Sequence, residues 1–402
     1  MKSKSSNKDF SQWTLLRDIN SLILFLCSFF MAMGVYLIAP VIPEIMSFFK
    51  VNETRVGLVI ALFTFPTIIL SPIIGSLADR YGRKIFLAGG MLLYGVSGVL
   101  PGILNFNFNS LLVTRAMQGI GFAAIMPLTV AVLGDIYEGS KEVAAQGIRN
   151  FFISIGGFLF PLLGGTLAVL GWNYPFLFYS LAIPFTFVIW RYLPETNKKS
   201  NRRNSTNLKF AFQELKVLKN SFIIMVLICS LIRFFLSIGI ITYLPILLVK
   251  KLTVNIALVG LILGIMQFFK SFASLQVGNV VARWGLITPF IFCFFIYGLG
   301  SFILPVTSSI TLIFIVTAIM GIGDGILAPL QKSLITQNIS AQNRATVVSI
   351  NASLQGIGRT ISPIILGIIM VNYGFYWVFW SMTLITIVPV TYFLLNKRSM
   401  NN

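Results

Sequence analysis

The chain has 402 residues, of which 56% are hydrophobic and only 10% charged, and its mean hydropathy is +0.89. Soluble chains carry roughly 25% charged residues, so this composition excludes a soluble globular protein and points to a polytopic membrane protein. The 30 Lys and Arg against 11 Asp and Glu give a net charge of +19, which would suit a nucleic-acid partner only if the cations were clustered on one surface.

In chain order, residues 1–18 are polar and basic, with Lys2, Lys4, Lys8 and Arg17. Apolar runs follow at 19–43, 56–77, 85–104, 110–133, 146–170 and 175–190. The first is too long for the core of a signal peptide. A polar segment containing PETNKKSNRRNSTN comes next, and its end, LKFAFQELKVLKN, has the composition of a surface helix. Six more runs lie near 221–247, 258–280, 287–306, 310–333, 346–370 and 376–396. Runs of about 20 apolar residues are membrane helices, since barrel strands are shorter and alternate. The expected fold is all-α, with twelve transmembrane helices.

With the N-terminus inside, 20 Lys and Arg fall in inside segments and four (Lys50, Arg55, Lys250 and Lys251) in outside loops. By the positive-inside rule both termini are cytoplasmic, in a multi-pass protein of the cell membrane. The basic excess is therefore a topology signal, and no nucleic-acid partner is expected. Cys27, Cys229 and Cys293 lie in apolar runs, as buried thiols do, and the chain has no His. No metal, cofactor or catalytic constellation is expected.

The two halves repeat at an offset of 202 or 203 residues. VGNVVARWG (277–285) falls on IGSLADRYG (74–82), and AIMGIGDGILAPL (318–330) on AMQGIGFAAIMPL (116–128). Cys229 falls on Cys27, Pro245 on Pro43 and Pro363 on Pro161. Such a duplication predicts parallel six-helix halves around a central cavity. The domains are then residues 1–191, a cytoplasmic linker at 192–220, and 221–402.

The turn between the second and third runs, GSLADRYGRK, packs Asp79, Arg80, Arg83 and Lys84 into six residues. Gly75 would let the helices approach closely, and Gly82 would permit a positive φ. The pattern G-x-L-A-D-R-x-G-R-K closely resembles the signature loop of the major facilitator superfamily. RAMQGIGFAA in the fourth run, with Arg115, Gln118, Gly119 and Gly121, resembles that superfamily's fourth-helix pattern. GGFLFPLLGG in the fifth, with Gly156, Pro161, Gly164 and Gly165, is similar to the motif of its drug–proton antiporter branch. Phe160 stands where that motif has Gly, and the first run has no acid between Asp18 and Glu44. Many drug exporters carry a carboxylate in that run.

The resemblance implies several roles. Asp79 would interact near the inside end of the eleventh helix, with Arg80 and Arg83 in support, and close the inside gate. Arg115 would take part in proton transfer, although a structural Arg bonded to carbonyls of the first helix fits the residues equally well. The glycine motifs would serve helix packing. The whole would export a small molecule through the lipid bilayer in exchange for protons, as a monomer.

Four ionisable residues lie near the middle of runs in the second half: Arg233, Lys270, Asp324 and Arg359. Each sits roughly 18–21 Å from its helix start, at the depth of the bilayer centre. Their first-half counterparts, Met31, Thr67, Phe122 and Gly157, are uncharged. Either the four form a packing network, or three cations and one acid make a positive cavity for an anionic substrate. Asp324, the single acid deep inside a span, is the leading candidate for proton coupling alongside Arg115. Lys332 and Arg149, nearer the helix ends, are expected to snorkel to the surface. The favoured function is proton-coupled efflux of a drug or metabolite, including an anion such as a siderophore. The alternatives are an importer or exchanger of organic anions and a non-transporting membrane sensor. An intact gating turn argues against the sensor, and the lack of a paired-acid site argues against a lipid-modifying enzyme.

Overall fold

The protein is described from a computed structural model covering residues 15–104, 107–196, 221–337 and 344–400. Most of the expected linker, including the candidate surface helix, lies outside the described residues. The described residues form helices and no strand. α1 spans Ile19–Phe49 with an irregular turn near Ala39–Val41, followed by α2 (Glu53–Tyr81), α3 (Arg83–Ile103), α4 (Phe108–Ile136) and α5 (Ser140–Ala168). The short helices Tyr174–Leu177 and Phe178–Leu181 lead into α6 (Ala182–Tyr192). The second half comprises α7 (Ser221–Leu252), α8 (Ile256–Leu275), α9 (Ile287–Ile303), α10 (Ile310–Gln337), α11 (Arg344–Tyr373) and α12 (Phe375–Met400).

Ten of the described helical spans are long and apolar enough to cross a membrane. The sixth expected span is present as the broken series ending in α6. The ninth is α9, whose 17 residues reach about 25 Å. The eighth run ends earlier than its hydropathy suggests. α8 stops at Leu275, and residues Val277–Trp284 form a separate short helix, bent by 117° from α9. That short helix carries the second copy of the signature turn. Gly285 closes it with φ 71°, as Gly82 closes the first copy with φ 113°, conformations that disfavour a side chain.

Local chemistry explains the helix starts. Asn52, Asn107 and Asn255 cap α2, α4 and α8 by accepting from the backbone N–H of Arg55 (2.9 Å), Ser110 (2.8 Å) and Ala257 (2.8 Å). Asp18 caps α1 and also accepts from the Tyr137 hydroxyl at 2.5 Å, fastening the start of α1 to the end of α4. Burial alone would raise the Asp18 pKa, but hydrogen bonds from Tyr137 and Ser21 hold it below the usual carboxylate value.

Lipids tolerate helices whose backbone is self-satisfied, and packing then rests on small residues at close approaches. The glycines supply these in matched pairs. Gly119 of α4 abuts the Phe63 carbonyl of α2, and Gly321 of α10 abuts the Met266 carbonyl of α8, 202 and 203 residues later. Across the halves, Gly57 of α2 meets the Pro363 carbonyl of α11, and Gly260 of α8 meets the Pro161 carbonyl of α5. The internal repeat is therefore a repeat of contacts. The residue pairs that join the halves are themselves duplicates. The outward faces of α9 and α12 carry exposed Phe292, Phe295, Phe302, Leu384 and Val388, as lipid contact requires.

A Cβ at Gly260 would collide with the Pro161 carbonyl, which belongs to the backbone and cannot swing aside. Gly260→Val should destabilise the purified protein by about 1–3 kcal/mol, read as a lower melting temperature, and slow transport. Wild-type melting and transport would contradict this packing.

Candidate functional site

The signature turn sits where α2 gives way to α3. Asp79 accepts from Arg83 Nε at 2.9 Å, and Arg83 also pairs with Asp135 of α4 at 2.5 Å. The backbone N–H of Arg83 donates to Glu195 at 2.8 Å. Arg80 lies over the ring of Tyr81, 5.3 Å from its centroid. The turn is thus fastened to its own half. Among the described residues the ion-pair partner of Asp79 is Arg83, and the Asp79 side chain is 61% exposed. The carboxylate expected to reach α11 is held within the first half in this conformation. Gly75 and its repeat Gly278 would each meet nothing within 4 Å on gaining a Cβ, so the close approach expected at Gly75 is absent too.

The opposite end of the bundle differs. Lys250 at the end of α7 donates to Glu53 at the start of α2 at 2.6 Å, joining the two halves. Next to it Gly367 of α11 packs on Thr54 of α2, and further in the hydroxyls of Thr64 and Thr360 lie 3.1 Å apart. The halves are closed at the Glu53–Lys250 end, and the matched glycines Gly75 and Gly278 stand open at the turn end.

Arg115 is 1% exposed and fully engaged. Its Nε donates to the Val59 carbonyl of α2 at 3.1 Å, one Nη donates to the Gly34 carbonyl of α1 at 2.6 Å, and the other donates to Gln118. The guanidinium lies 4.4 Å from the centroid of the Phe63 ring. One cation therefore ties α1, α2 and α4 together through neutral partners. Gly121 meets the Gly90 carbonyl of α3, and Gly164 meets the Leu37 carbonyl of α1. Gly165 faces Gly260 across the halves. Gly156 lies against Ala32 and the ring of Phe160, which is buried and packs at a 46° tilt on Phe29 with centroids 4.7 Å apart. The bulky residue in the fifth-helix motif thus packs inside its own half and leaves the contact between halves to Pro161 and Gly165.

In the second half α7, α8 and α10 bring their charges together. Asp324 is 0% exposed, and its Oδ2 lies 2.5 Å from Lys270 Nζ. Its Oδ1 lies 3.6 Å from Arg233 Nε, too far for a hydrogen bond, so that arm of the cluster is an ion pair only. Ser237, one turn after Arg233, donates to Oδ2 at 3.5 Å. Arg359 joins through an aromatic ring. Its guanidinium is 4.2 Å from the Phe234 centroid, and that of Arg233 is 4.4 Å from the same ring. Guanidiniums stack well on aromatic faces, and desolvation strengthens the attraction. The Lys270 side chain is 23% exposed, so the cluster is accessible from the Lys270 side.

All four midplane charges thus belong to one assembly, although Arg359 is not bonded to Asp324 among the described residues. Ser237 was legible in principle, because position i+4 after Arg233 shares its helix face. Phe234 was not, being one of 37 Phe. Lys332 is exposed, as snorkelling requires. Arg149 is not. It is 7% exposed, and its guanidinium donates to the Thr129 hydroxyl at 3.1 Å and the Met126 carbonyl at 3.4 Å. Acceptors on α4 hold it inside the bundle, where its position near a helix end suggested an escape to the surface.

The Arg115 geometry makes a stability forecast. Arg115→Met would remove the bonds that join the Gly34 and Val59 carbonyls and leave the buried Gln118 amide oxygen without its donor, a buried unpaired group costing about 1–3 kcal/mol. Arg115→Lys should not rescue it, because one ammonium lacks the forked reach of a guanidinium. Both variants should melt well below wild type in detergent, and wild-type melting of the Lys variant would refute the clamp.

Residues 24–255 and 226–401 match the sequence profile of the Major Facilitator Superfamily. The bacillibactin exporter of Bacillus subtilis is 26% identical over 356 residues, covering 85% of this chain and 87% of that protein. Multidrug resistance protein 1 of the same organism is 26% identical over 370 residues, covering 90% and 92%. The quinolone resistance protein NorA of Staphylococcus aureus is 28% identical over 178 residues, covering 44% and 46%. Among solved structures, a bacterial homolog of the human lysosomal transporter Spinster superposes with a TM-score of 0.79 at 17% identity, covering 96% and 97%. The nucleoside transporter NupG does so with 0.78 at 12% identity, covering 93% and 98%. With duplicated six-helix halves, a signature turn and a profile match along nearly its whole length, the chain belongs to the Major Facilitator Superfamily and is a multi-pass membrane transporter.

Proposed function

We propose that the protein exports a small organic compound, anionic or amphipathic in character, in exchange for protons, by alternating access between the two halves. The observation that carries this reading is the Asp324 cluster. One fully buried acid is bridged to Lys270, flanked by Arg233, and outnumbered three to one once Arg359 is counted. Intramembrane charges mark substrate and ion pathways. A carboxylate held by a lysine loses that partner when the substrate recruits the lysine, and it then becomes a proton acceptor. Proton uptake at Asp324 and anion release at Lys270 are thereby opposed steps at one site. Arg115, bonded to neutral acceptors, serves as a helix clamp in this scheme.

Export as the direction is supported by the fifth-helix motif, by the bacillibactin exporter among the Bacillus relatives, and by the resistance named for the multidrug and quinolone resistance proteins. The closed Glu53–Lys250 end and the open turn end correspond to the inward-open state if the turn is cytoplasmic. The Asp79 carboxylate, paired with Arg83 here, would engage α11 when that end closes.

Two outcomes are expected. Asp79→Asn should abolish most transport in inside-out vesicles, yet shift the stability of this state by no more than about 1 kcal/mol, because the exposed Asp79–Arg83 pair contributes little to it. Wild-type transport rates in that variant would refute the gate. In the second test, organic anions and cations are compared under an imposed pH gradient. Lys270→Met should weaken binding of an anionic ligand by about tenfold to a hundredfold while sparing its neutral analogue. Asp324→Asn should lose proton-driven transport with binding retained or tightened. Equal losses for both ligand classes, with a lowered melting temperature, would reduce the cluster to a packing network.

A further inference from the structure

A second group of cations lies beyond the Asp324 cluster, toward the turn end. Arg149 of α5 donates to the Met126 carbonyl of α4. From the other half, the Arg359 guanidinium lies 3.8 Å from the sulfur of the same Met126. Two guanidiniums on opposite halves therefore meet one residue, Arg149 at its backbone carbonyl and Arg359 at its sulfur. Lys332 of α10 is exposed and lies within electrostatic reach of both Arg149 and Arg233. The ion pairs among the described residues join Asp79 and Asp135 to Arg83, Asp324 to Arg233 and Lys270, and Glu53 to Lys250. Arg149, Arg359 and Lys332 appear in none of them.

Like charges held close together repel one another, most of all around a buried one such as Arg149, and neutral acceptors such as Thr129 and the Met126 carbonyl satisfy hydrogen bonds without removing charge. A packing role would be served better by an acid or by apolar residues. A ligand that brings negative charge relieves the repulsion, and here it would touch both halves at once.

We propose that Arg149, Arg359 and Lys332 form a second anion subsite across Met126, and that the substrate is accordingly an organic polyanion with at least two separated acidic groups. One group is taken by Lys270 and Arg233 beside Asp324, and the other by this inter-half subsite. Arg359, stacked on Phe234 with Arg233, stands between the two. The proposal rests on the anionic-substrate reading above.

The test uses wild type, Arg149→Gln and Lys332→Gln in nanodiscs, with trimesate, benzoate and the neutral trimethyl ester of trimesate as probes. Wild type should prefer trimesate to benzoate and both to the ester. Each variant should lose about tenfold in trimesate affinity, the scale of one charge-assisted contact, with benzoate changed far less. Lys332 is exposed, so its variant should fold even where loss of buried Arg149 impairs folding. Equal losses for trimesate and benzoate, or none for either, would overturn the second subsite and leave the anionic reading standing. If wild type itself failed to distinguish trimesate from its ester, the anionic reading would fall and the subsite with it.

Discussion

The structure depends on a contact made twice. Gly57 against the Pro363 carbonyl and Gly260 against the Pro161 carbonyl bring α2 onto α11 and α8 onto α5. In lipid, apolar side chains gain little from meeting one another, so close backbone approach and good packing must supply the association. Proline at one partner also frees a carbonyl within its helix and bends the helix locally. Because the two contacts are related by the internal repeat, the halves meet through equivalent surfaces. Both contacts lie one turn into their helices, at the end of the bundle where Glu53 meets Lys250.

The two halves manage buried charge by different physics. In the first half Arg115 is surrounded by carbonyls, an amide oxygen and an aromatic face, so its charge is solvated by fixed dipoles and has no counterion to exchange. In the second half Asp324 is held by cationic side chains, one of them at 3.6 Å and one partly exposed. The first arrangement is rigid and suited to holding three helices together. The second places opposite charges in direct contact, so that a change in either partner alters the other. Duplication thus produced one half whose buried charge is held by neutral groups and one whose buried charges pair with each other.

The ends of the bundle complete this division. At one end a single ion pair, Lys250 with Glu53, reinforces helices already packed through Gly367 and Thr54. At the other, Asp79, Arg83 and Asp135 pair within the first half, Glu195 at the start of the linker accepts from the Arg83 backbone, and Gly75 and Gly278 are uncovered. Partners that are exposed and weakly coupled in one state can be exchanged at small cost in the next, since surface ion pairs contribute only about 0–1 kcal/mol. Electrostatic bonds at the turn end are therefore cheap to remake, whereas the tight glycine contacts between the halves lie toward the other end.

Much of this was written in the sequence. Hydropathy set the spans, the 202–203 residue offset set the duplication, and charge in apolar runs marked Arg233, Lys270, Asp324 and Arg359, because a charge in hydrocarbon is costly enough to be conspicuous. The break at Leu275 was not legible, since an apolar run continues through it. The burial of Arg149 was not legible either, because its acceptors, Thr129 and the Met126 carbonyl, lie on another helix. Pairing was likewise a tertiary decision. Equal depth placed four charges in one layer, but helix rotation and packing determined that Lys270 and Arg233 take the two oxygens of Asp324, while Arg359 stacks on Phe234 instead. Sequence determines which groups cannot face lipid, because that follows from composition along one helix. Which partner each one finds depends on how neighbouring helices turn toward it, and the small-residue contacts between helices set that.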